Sequence, residues 1–196
     1  MSNYSNIINI PELLDELEDY AIIKMADSFP NYTHYDDLDV ICKDSAVLRD
    51  KVLKKSMPNS VERVNVTVSK SKHTHIDYYI PRNNTLNFRL DLSSVLAYSK
   101  FYVDSNYINK VLERKESKLV DNKKIYIPNK VDDLVIRFLE WAWQPHKLRH
   151  IKRFRRDFDF HKHGEEFISI IDKYTNLDMD ENYIDMLFTD LKNRGI

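Results

Sequence analysis

The chain has 196 residues, and its 30 Lys and Arg nearly balance 31 Asp and Glu, for a formal net charge of −1. This length fits one domain or a core with an annex, and the balanced charge favours no class of partner. The only glycines are Gly164 and Gly195, which excludes the glycine-rich loops that hold phosphate in P-loop and Rossmann proteins. Any phosphate bound here must be held by a metal ion and by cationic side chains.

The single cysteine, Cys42, lies in an apolar segment and has no partner for an internal disulfide. A lone unpaired cysteine favours a reducing compartment, and we expect the cytoplasm. The first residues lack a basic segment followed by an apolar run, so we expect no secretory signal. No apolar stretch approaches the roughly 20 residues that a membrane-spanning helix needs, so we expect no membrane association.

The first part of the chain predicts a helix, a strand, a loop and a second strand. Pro11 begins the helix, and Tyr20–Lys24 has the composition of a short buried strand. The loop Met25–His34 contains Pro30 and leads to the second strand, which covers residues 35–42.

This second strand carries three carboxylates in four positions, at Asp36, Asp37 and Asp39. Alternate side chains of a strand face opposite sides, so Asp37 and Asp39 share a face while Leu38 and Val40 point towards a core. Carboxylates held side by side repel each other unless a cation lies between them, and Mg²⁺ prefers oxygen ligands. An isolated Asp-x-Asp pair is more often a solvated strand start than a metal site, so the rest of the chain has to supply the evidence for a metal.

A helix and three strands follow. The helix begins at Asp44 or Ser45 and ends near Lys55, before the breaker segment 58–60. Alternating valines predict a buried face for the first strand. The predicted strands are Val61–Ser69, His73–Ile80 and Thr85–Leu92, with residues 81–84 forming the turn between the last two.

The last of these strands supplies a third carboxylate, because Arg89 and Asp91 alternate with apolar residues. Asp77 on the neighbouring strand is a competing candidate. Residues directly opposite each other in a hairpin share a face, so the face of Asp77 depends on the turn. A two- or four-residue turn predicts that Asp77 and Asp91 lie on opposite faces, and we therefore rank Asp91 first.

The remaining chain predicts mainly helices, and the whole reads as an α+β protein. A mixed sheet core is expected in residues 1–128 and a C-terminal helical region packed on it in residues 129–196. The predicted elements are an extended segment at Lys100–Val103, a strand at Lys123–Ile127, and helices at Ser105–Lys115, Val131–Trp143, Asp157–Tyr174 and Asp180–Lys192.

One segment, residues 145–156, is strongly basic. On a helix its Arg149 and Lys152 can bind donor phosphate, and a solvated helix with Asp157 and Asp159 as counter-charges explains the segment equally well. No base-reading motif or interleaved aromatic residues accompany it, so nucleic acid is not favoured as a partner.

Two histidine pairs, His73-x-His75 and His161-x-His163, have the spacing of potential metal ligands. No further Cys or His set completes a zinc site, and we interpret these histidines as surface or supporting residues.

The chain resembles the nucleotidyltransferase superfamily to which DNA polymerase beta belongs. The matching residues are Asp37-Leu38-Asp39 running into Val40-Ile41-Cys42, the helix that follows, and the strand Arg89–Leu92 with its acid. Over about residues 15–145 the chain is similar to small stand-alone members that often accompany surface-polysaccharide genes. That narrower resemblance rests on Tyr20–Lys24, Phe29-Pro30, and the pairing of Ile76-Asp77 with Phe88–Leu92.

The resemblance implies that Asp37, Asp39 and Asp91 are the catalytic ligands of two Mg²⁺ or Mn²⁺ ions, with Asp77 as the alternative third metal ligand. Two such ions stabilise the attacking and leaving oxygens of an in-line displacement. The implied reaction moves a nucleotidyl group from an NTP to a small acceptor such as a sugar phosphate. The candidates to bind the donor phosphates are Lys24, Ser28, Arg89, Arg149 and Lys152.

The chain departs from the superfamily in one place. Members carry a Gly-Gly or Gly-Ser pair before the acidic strand, and here Met25-Ala26-Asp27-Ser28 follows Lys24 without glycine. The acidic motif also resembles that of fukutin-like phosphotransferases, which use a CDP-alcohol donor. A catalytically inactive module that keeps the fold for binding is the other alternative, and the sequence carries no indication of the oligomeric state.

Overall fold

The structure is a computed structural model that describes residues 8–33, 35–55, 61, 63–69, 73–80 and 85–193. The chain divides into two compact units. The first unit comprises the chain up to Val95 together with Ile108–Pro128. The second unit comprises Leu96–Tyr107 and the chain from Asn129 onwards. The predicted α+β class is confirmed. The predicted breaker at 58–60 and the turn at 81–84 lie outside the described residues.

The first unit contains most of the strands. Its helices are α1 (Ile10–Leu14) and α2 (Ser45–Lys54), and α3 (Asn106–Arg114) enters it from the second unit. The strands are β1 (Tyr20–Ile22), β2 (Asp36–Cys42), β3 (Arg63–Val68), β4 (His73–Tyr79), β5 (Leu86–Ser93), β6 (Glu116–Val120) and β7 (Lys123–Ile127).

Five of these strands form one mixed sheet in the order β1-β2-β5-β4-β3. β2 runs parallel to β5, and the other neighbours are antiparallel. β6 and β7 form a separate two-stranded sheet. β2 is thus the neighbour of β5, which brings the two acidic strands together.

One face of the mixed sheet forms the hydrophobic core of the first unit. Leu38, Val40 and Cys42 are all buried on this face, as alternation predicted. Helix α2 begins at its N-cap Asp44, whose carboxylate accepts hydrogen bonds from two backbone N–H groups of the first turn. Core side chains from α1, α2, β4 and β5 complete this cluster. The carboxylates of β2 and β5 consequently lie on the other face of the sheet.

In the described part of the second unit, four helices follow residue 129, and their core is aromatic. Phe138, Phe154 and Phe167 come from three different helices and lie with ring centroids 5.3–5.8 Å apart. Among the described residues, no helix is long and apolar enough to cross a bilayer. The helices are α4 (Lys130–Trp143), α5 (Leu148–Asp157), α6 (Phe160–Tyr174) and α7 (Glu181–Asn193).

Candidate functional site

The register of β2 and β5 brings the predicted carboxylates together. Asp39 lies beside Asp91, and Asp37 lies beside Arg89, in a parallel pairing. Paired residues of neighbouring strands share a face, so all four side chains belong to the polar face of the mixed sheet. Asp37 is exposed, and Asp39 and Asp91 are half-buried. The three acids that the resemblance identified therefore lie on two adjacent strands, on one face.

Asp39 is neutralised by Lys24. The Lys24 Nζ lies 2.9 Å from Oδ2 of Asp39, and the lysine side chain is 11% exposed. Lys24 follows β1 directly, and the Ile23 N–H donates to the backbone carbonyl of Asp39 at 3.0 Å, which ties the two segments together. The φ of Lys24 is 54°, in the left-handed region that favours glycine. In this structure Lys24 thus contacts a carboxylate that was predicted to hold metal.

Asp91 contacts two histidines of β4. Nε2 of His73 lies 2.5 Å from Oδ1 of Asp91, and Nε2 of His75 lies 3.4 Å from Oδ2. The hydrogen bond that His73 donates to the Asp91 carboxylate raises the pKa of His73, and burial of the ring opposes that rise. The three side chains offer two nitrogens and one oxygen, all within 4.8 Å of one another.

Asp77 lies on the same face as Asp91, although a four-residue turn predicts opposite faces. The register between β4 and β5 pairs Tyr79 with Leu86 and then Tyr78 with Phe88, so one residue of β5 is extra. This β-bulge changes the parity of the pairing, and Asp77 therefore lies opposite Arg89 and diagonal to Asp91.

The carboxylate of Asp77 forms a two-pronged ion pair with Arg89. Nε of Arg89 lies 2.7 Å from Oδ1 of Asp77, and Nη2 lies 3.0 Å from Oδ2. This pairing raises the pKa of Arg89. Both oxygens of Asp77 therefore bind the guanidinium that was predicted to bind phosphate, and the strand register pairs Arg89 with Asp37 on its other side.

The other predicted phosphate ligands lie apart in the chain. Ser28 is exposed in a turn between β1 and β2, where its carbonyl accepts from the Asn31 N–H at 2.8 Å. Arg149 and Lys152 are exposed on α5, in the second unit. Asp157, at the end of the same helix, accepts hydrogen bonds from other basic side chains there, as the counter-charge interpretation proposed.

The two histidine pairs differ because one lies in a strand and the other in a helix. His73 and His75 alternate along β4, so both rings project from the same face, and His75 lies directly opposite Asp91. On α6, residues two apart do not share a face; His161 is exposed, and Nδ1 of His163 accepts from the Asp159 N–H. The predicted strand, together with the predicted neighbour carrying Asp91, was the signal that could have singled out the first pair.

No protein-family model and no curated protein matches this sequence. Among solved structures, the chain is similar to an antigenic nucleotidyltransferase-like protein from Paracoccidioides brasiliensis, at 16% identity and a TM-score of 0.46, over 95% of this chain and 85% of that one. It is also similar to JHP933 from Helicobacter pylori, at 13% identity and a TM-score of 0.43, over 83% of this chain and 74% of that one.

Proposed function

We propose that this protein is a metal-dependent nucleotidyltransferase that moves a nucleotidyl group from an NTP to a small acceptor such as a sugar phosphate. The observation that carries the proposal is the parallel register that sets Asp39 beside Asp91, with Asp37 on the same sheet face. Three carboxylates on adjoining positions of a sheet offer the hard oxygen donors that Mg²⁺ and Mn²⁺ take.

The residues present fit such an ion. Asp37, Asp39 and Asp91 would hold it, and a bound divalent ion supplies stabilisation of the negative charge that develops on the transferring phosphoryl group. Lys24 lies on Asp39 at 2.9 Å, so its ammonium is in position to bind donor phosphate once Asp39 is otherwise neutralised. Asp77 holds the Arg89 guanidinium by an ion pair, so Arg89 is a second cationic side chain on the same face. A sugar phosphate would attack the α-phosphorus of the NTP through a phosphate oxygen and release pyrophosphate, and Asp91 would accept a proton where the acceptor attacks through a hydroxyl instead.

Two alternatives use the same face. A phosphotransferase of the fukutin-like kind would bind the diphosphate of a CDP-alcohol through a metal ion held by the same three carboxylates. A binding module without catalysis is favoured by one specific observation, which is that the Lys24 ammonium already neutralises Asp39. In that case the ammonium replaces a metal ion, and Mg²⁺ adds nothing to nucleotide binding.

We also propose that the enzyme works in the cytoplasm. Cys42 is fully buried, and burial raises the pKa of its thiol to about 12, so the side chain packs as an apolar group. A free buried thiol is compatible with the reducing cytoplasm. A sugar-phosphate acceptor would place the reaction among steps that supply activated sugars for surface polysaccharides.

Thermal unfolding with and without ligand tests the proposal. Wild type is compared with Asp39→Asn in the presence of each NTP and of CDP-alcohols, with and without Mg²⁺ or Mn²⁺. A ligand at about 100 times its Kd stabilises the native state by about 2.7 kcal/mol. The expected result is a metal-dependent rise in Tm with an NTP that Asp39→Asn abolishes.

Asp50→Asn is the matched control, because Asp50 is an exposed carboxylate on α2 that is bound to Arg49. It should leave the nucleotide shift intact. A rise in Tm with CDP-alcohols alone would support the phosphotransferase. A rise in Tm with nucleotide that requires no metal ion and is unchanged in Asp39→Asn would support the binding module.

A further inference from the structure

Beyond the proposed transfer reaction, the polar sheet face holds a second set of potential metal ligands. His73 and His75 alternate along β4, and the register places His75 directly opposite Asp91 of β5. Both Nε2 atoms approach the same carboxylate, at 2.5 and 3.4 Å. The two imidazole rings are 5.3 Å apart between centroids. Two strands of a rigid sheet thus direct two nitrogens and one carboxylate towards one point.

The chemistry of this donor set differs from that of the three carboxylates. Mg²⁺ takes oxygen ligands, whereas imidazole nitrogens suit zinc, cobalt, iron and nickel. Three protein ligands with a position left for water or substrate are the usual composition of a catalytic rather than a structural zinc site. We infer that His73, His75 and Asp91 form a binding site for a divalent first-row transition metal ion, with Zn²⁺ as the representative.

The charges on this sheet face support the same assignment. Asp39 and Asp77 are bound by Lys24 and Arg89, whose positive charges are permanent at neutral pH. Among the described residues, the ion-pair contacts of Asp91 are both with histidines. A neutral imidazole is a metal ligand, and lysine or arginine is not. Asp91 is therefore the acid on this face whose basic neighbours can join it in holding a metal.

The distances agree with a common ion after small side-chain rotations. Ligands bound at about 2.0–2.2 Å in a tetrahedral site lie roughly 3.3–3.6 Å from each other, and the three ligand atoms here lie within 4.8 Å, so the side chains need to move closer by about 1 Å. The histidine side chains are 39% and 33% exposed, so their rings can rotate without repacking the core. The same exposure allows an ion to enter from solvent.

Cobalt is the probe for the test, because Co²⁺ occupies zinc sites and absorbs visible light more strongly in a tetrahedral protein site than in water. Wild type is titrated with Co²⁺ in the absence of nucleotide, and the ion is then displaced with Zn²⁺ and, separately, with Mg²⁺. We expect a visible absorption band at one equivalent that Zn²⁺ removes and Mg²⁺ in large excess does not. His73→Gln and His75→Gln should each weaken binding by at least about 10- to 100-fold, the loss seen even for outer ligand partners.

His161→Gln is the matched control, because it removes an exposed histidine of the same His-x-His spacing from α6. It should bind Co²⁺ as wild type does. The inference is overturned if wild type binds no Co²⁺ or Zn²⁺, or if either β4 variant binds as tightly as wild type. Circular dichroism and thermal unfolding of each variant establish that it is folded before its metal affinity is compared.

Asp39→Asn separates this inference from the proposed function, with which it shares Asp91. Asp39 is outside the His-His-Asp set, so its substitution should leave Co²⁺ binding within a few-fold of wild type while removing the nucleotide response. A wild-type protein that binds no Co²⁺ but shows the Mg²⁺- and NTP-dependent shift would overturn the inference alone. A wild-type protein that binds Co²⁺ but shows no nucleotide response would overturn the transfer reaction alone.

Discussion

Asp77 of β4, Asp91 of β5 and Asp39 of β2 lie on the polar sheet face. Each of these acidic side chains has a basic partner on a neighbouring segment. Asp39 pairs with Lys24, Asp77 with Arg89, and Asp91 with the histidines of β4. Repulsion between adjacent carboxylates, which the sequence predicted would require a metal ion, is therefore already reduced by side chains. An incoming ion must displace Lys24 from Asp39, so metal affinity depends on this one ion pair as well as on the carboxylates.

Substitutions at Lys24 separate backbone strain from the ion pair. A non-glycine residue in the left-handed region costs about 1 kcal/mol relative to glycine, and Lys24 has a φ of 54°. Lys24→Gly and Lys24→Ala lose the same half-buried ion pair, and only the glycine relieves the backbone. We expect Lys24→Gly to be more stable than Lys24→Ala by about 1 kcal/mol in urea unfolding.

Both variants should also bind Mn²⁺ more tightly than wild type, because Asp39 loses its competing cation. Isothermal titration without nucleotide measures this affinity. Lys43→Ala, which removes an exposed lysine beyond the end of β2, is the control for the change in net charge. Equal stability of the glycine and alanine variants would contradict the strain argument, and unchanged Mn²⁺ affinity would contradict the competition.

At the scale of elements, alternation predicted the buried face of β2, and it did so because a strand buried on one face must place every second residue in the core. The face of Asp77 could not be predicted in the same way. It depends on the one extra residue of β5, Asn87, which is fully buried and accepts a hydrogen bond from the Tyr32 hydroxyl at 3.1 Å. Counting the residues of the turn cannot reveal a bulge in the strand, because a hydrogen bond from a distant tyrosine stabilises that bulge.

Two other elements show where sequence patterns were insufficient. β6 is almost entirely exposed and has no apolar alternation, but it pairs with β7 across Asp121-Asn122, whose φ values of 51° and 61° are those of a tight hairpin turn. That dipeptide was the available signal. β3 shows the opposite error, because its alternating valines predict a buried face and Val66 and Val68 are exposed.

The ion pairs at the end of α5, in the second unit, predict that the stability of the native state depends on pH. Asp157 accepts from Arg156 at 2.6 Å and from Lys130 of α4 at 2.9 Å. The hydrogen bond from Arg156, with the help of Lys130, lowers the pKa of Asp157 well below its usual value, against the opposing effect of burial. A carboxylate at a helix C-terminus is unfavourable for the helix dipole, so these cations are what stabilise it there.

A group with a lowered pKa stabilises the native state above its unfolded pKa, which is about 3.9 for Asp, and this contribution is lost as the pH falls through the lower native value. Asp157→Asn should therefore reduce the free energy of unfolding by about 1 kcal/mol at pH 7. The difference from wild type should shrink below about pH 4. Urea unfolding followed at pH 7, 5 and 3.5 measures it, and Asp178→Asn, in an exposed loop position, is the control. A difference that grows at acidic pH would contradict the argument.

The chain combines a small net charge with an edge strand, β3, whose described residues are largely exposed. The chain has a formal net charge of −1 and an isoelectric point near 6.7, so electrostatic repulsion between copies is weak at neutral pH. β3 is the last strand in the sheet order, and the Val66 and Val68 side chains are 41% and 58% exposed there. An edge strand with exposed apolar residues and unpaired backbone groups promotes pairing between chains.

Val68→Lys distinguishes the edge from the net charge. The substitution brings the formal net charge from −1 to 0, so an association controlled by net charge should increase. A lysine on an edge strand blocks strand pairing, so an association controlled by β3 should decrease instead.

Val47→Lys is the matched control, because Val47 is 50% exposed on α2 and its substitution changes the net charge equally. We expect sedimentation velocity at pH 7 to show less self-association for Val68→Lys than for wild type, and no decrease for Val47→Lys. A decrease in both variants would assign the effect to added lysine in general, and an increase in both would assign it to net charge.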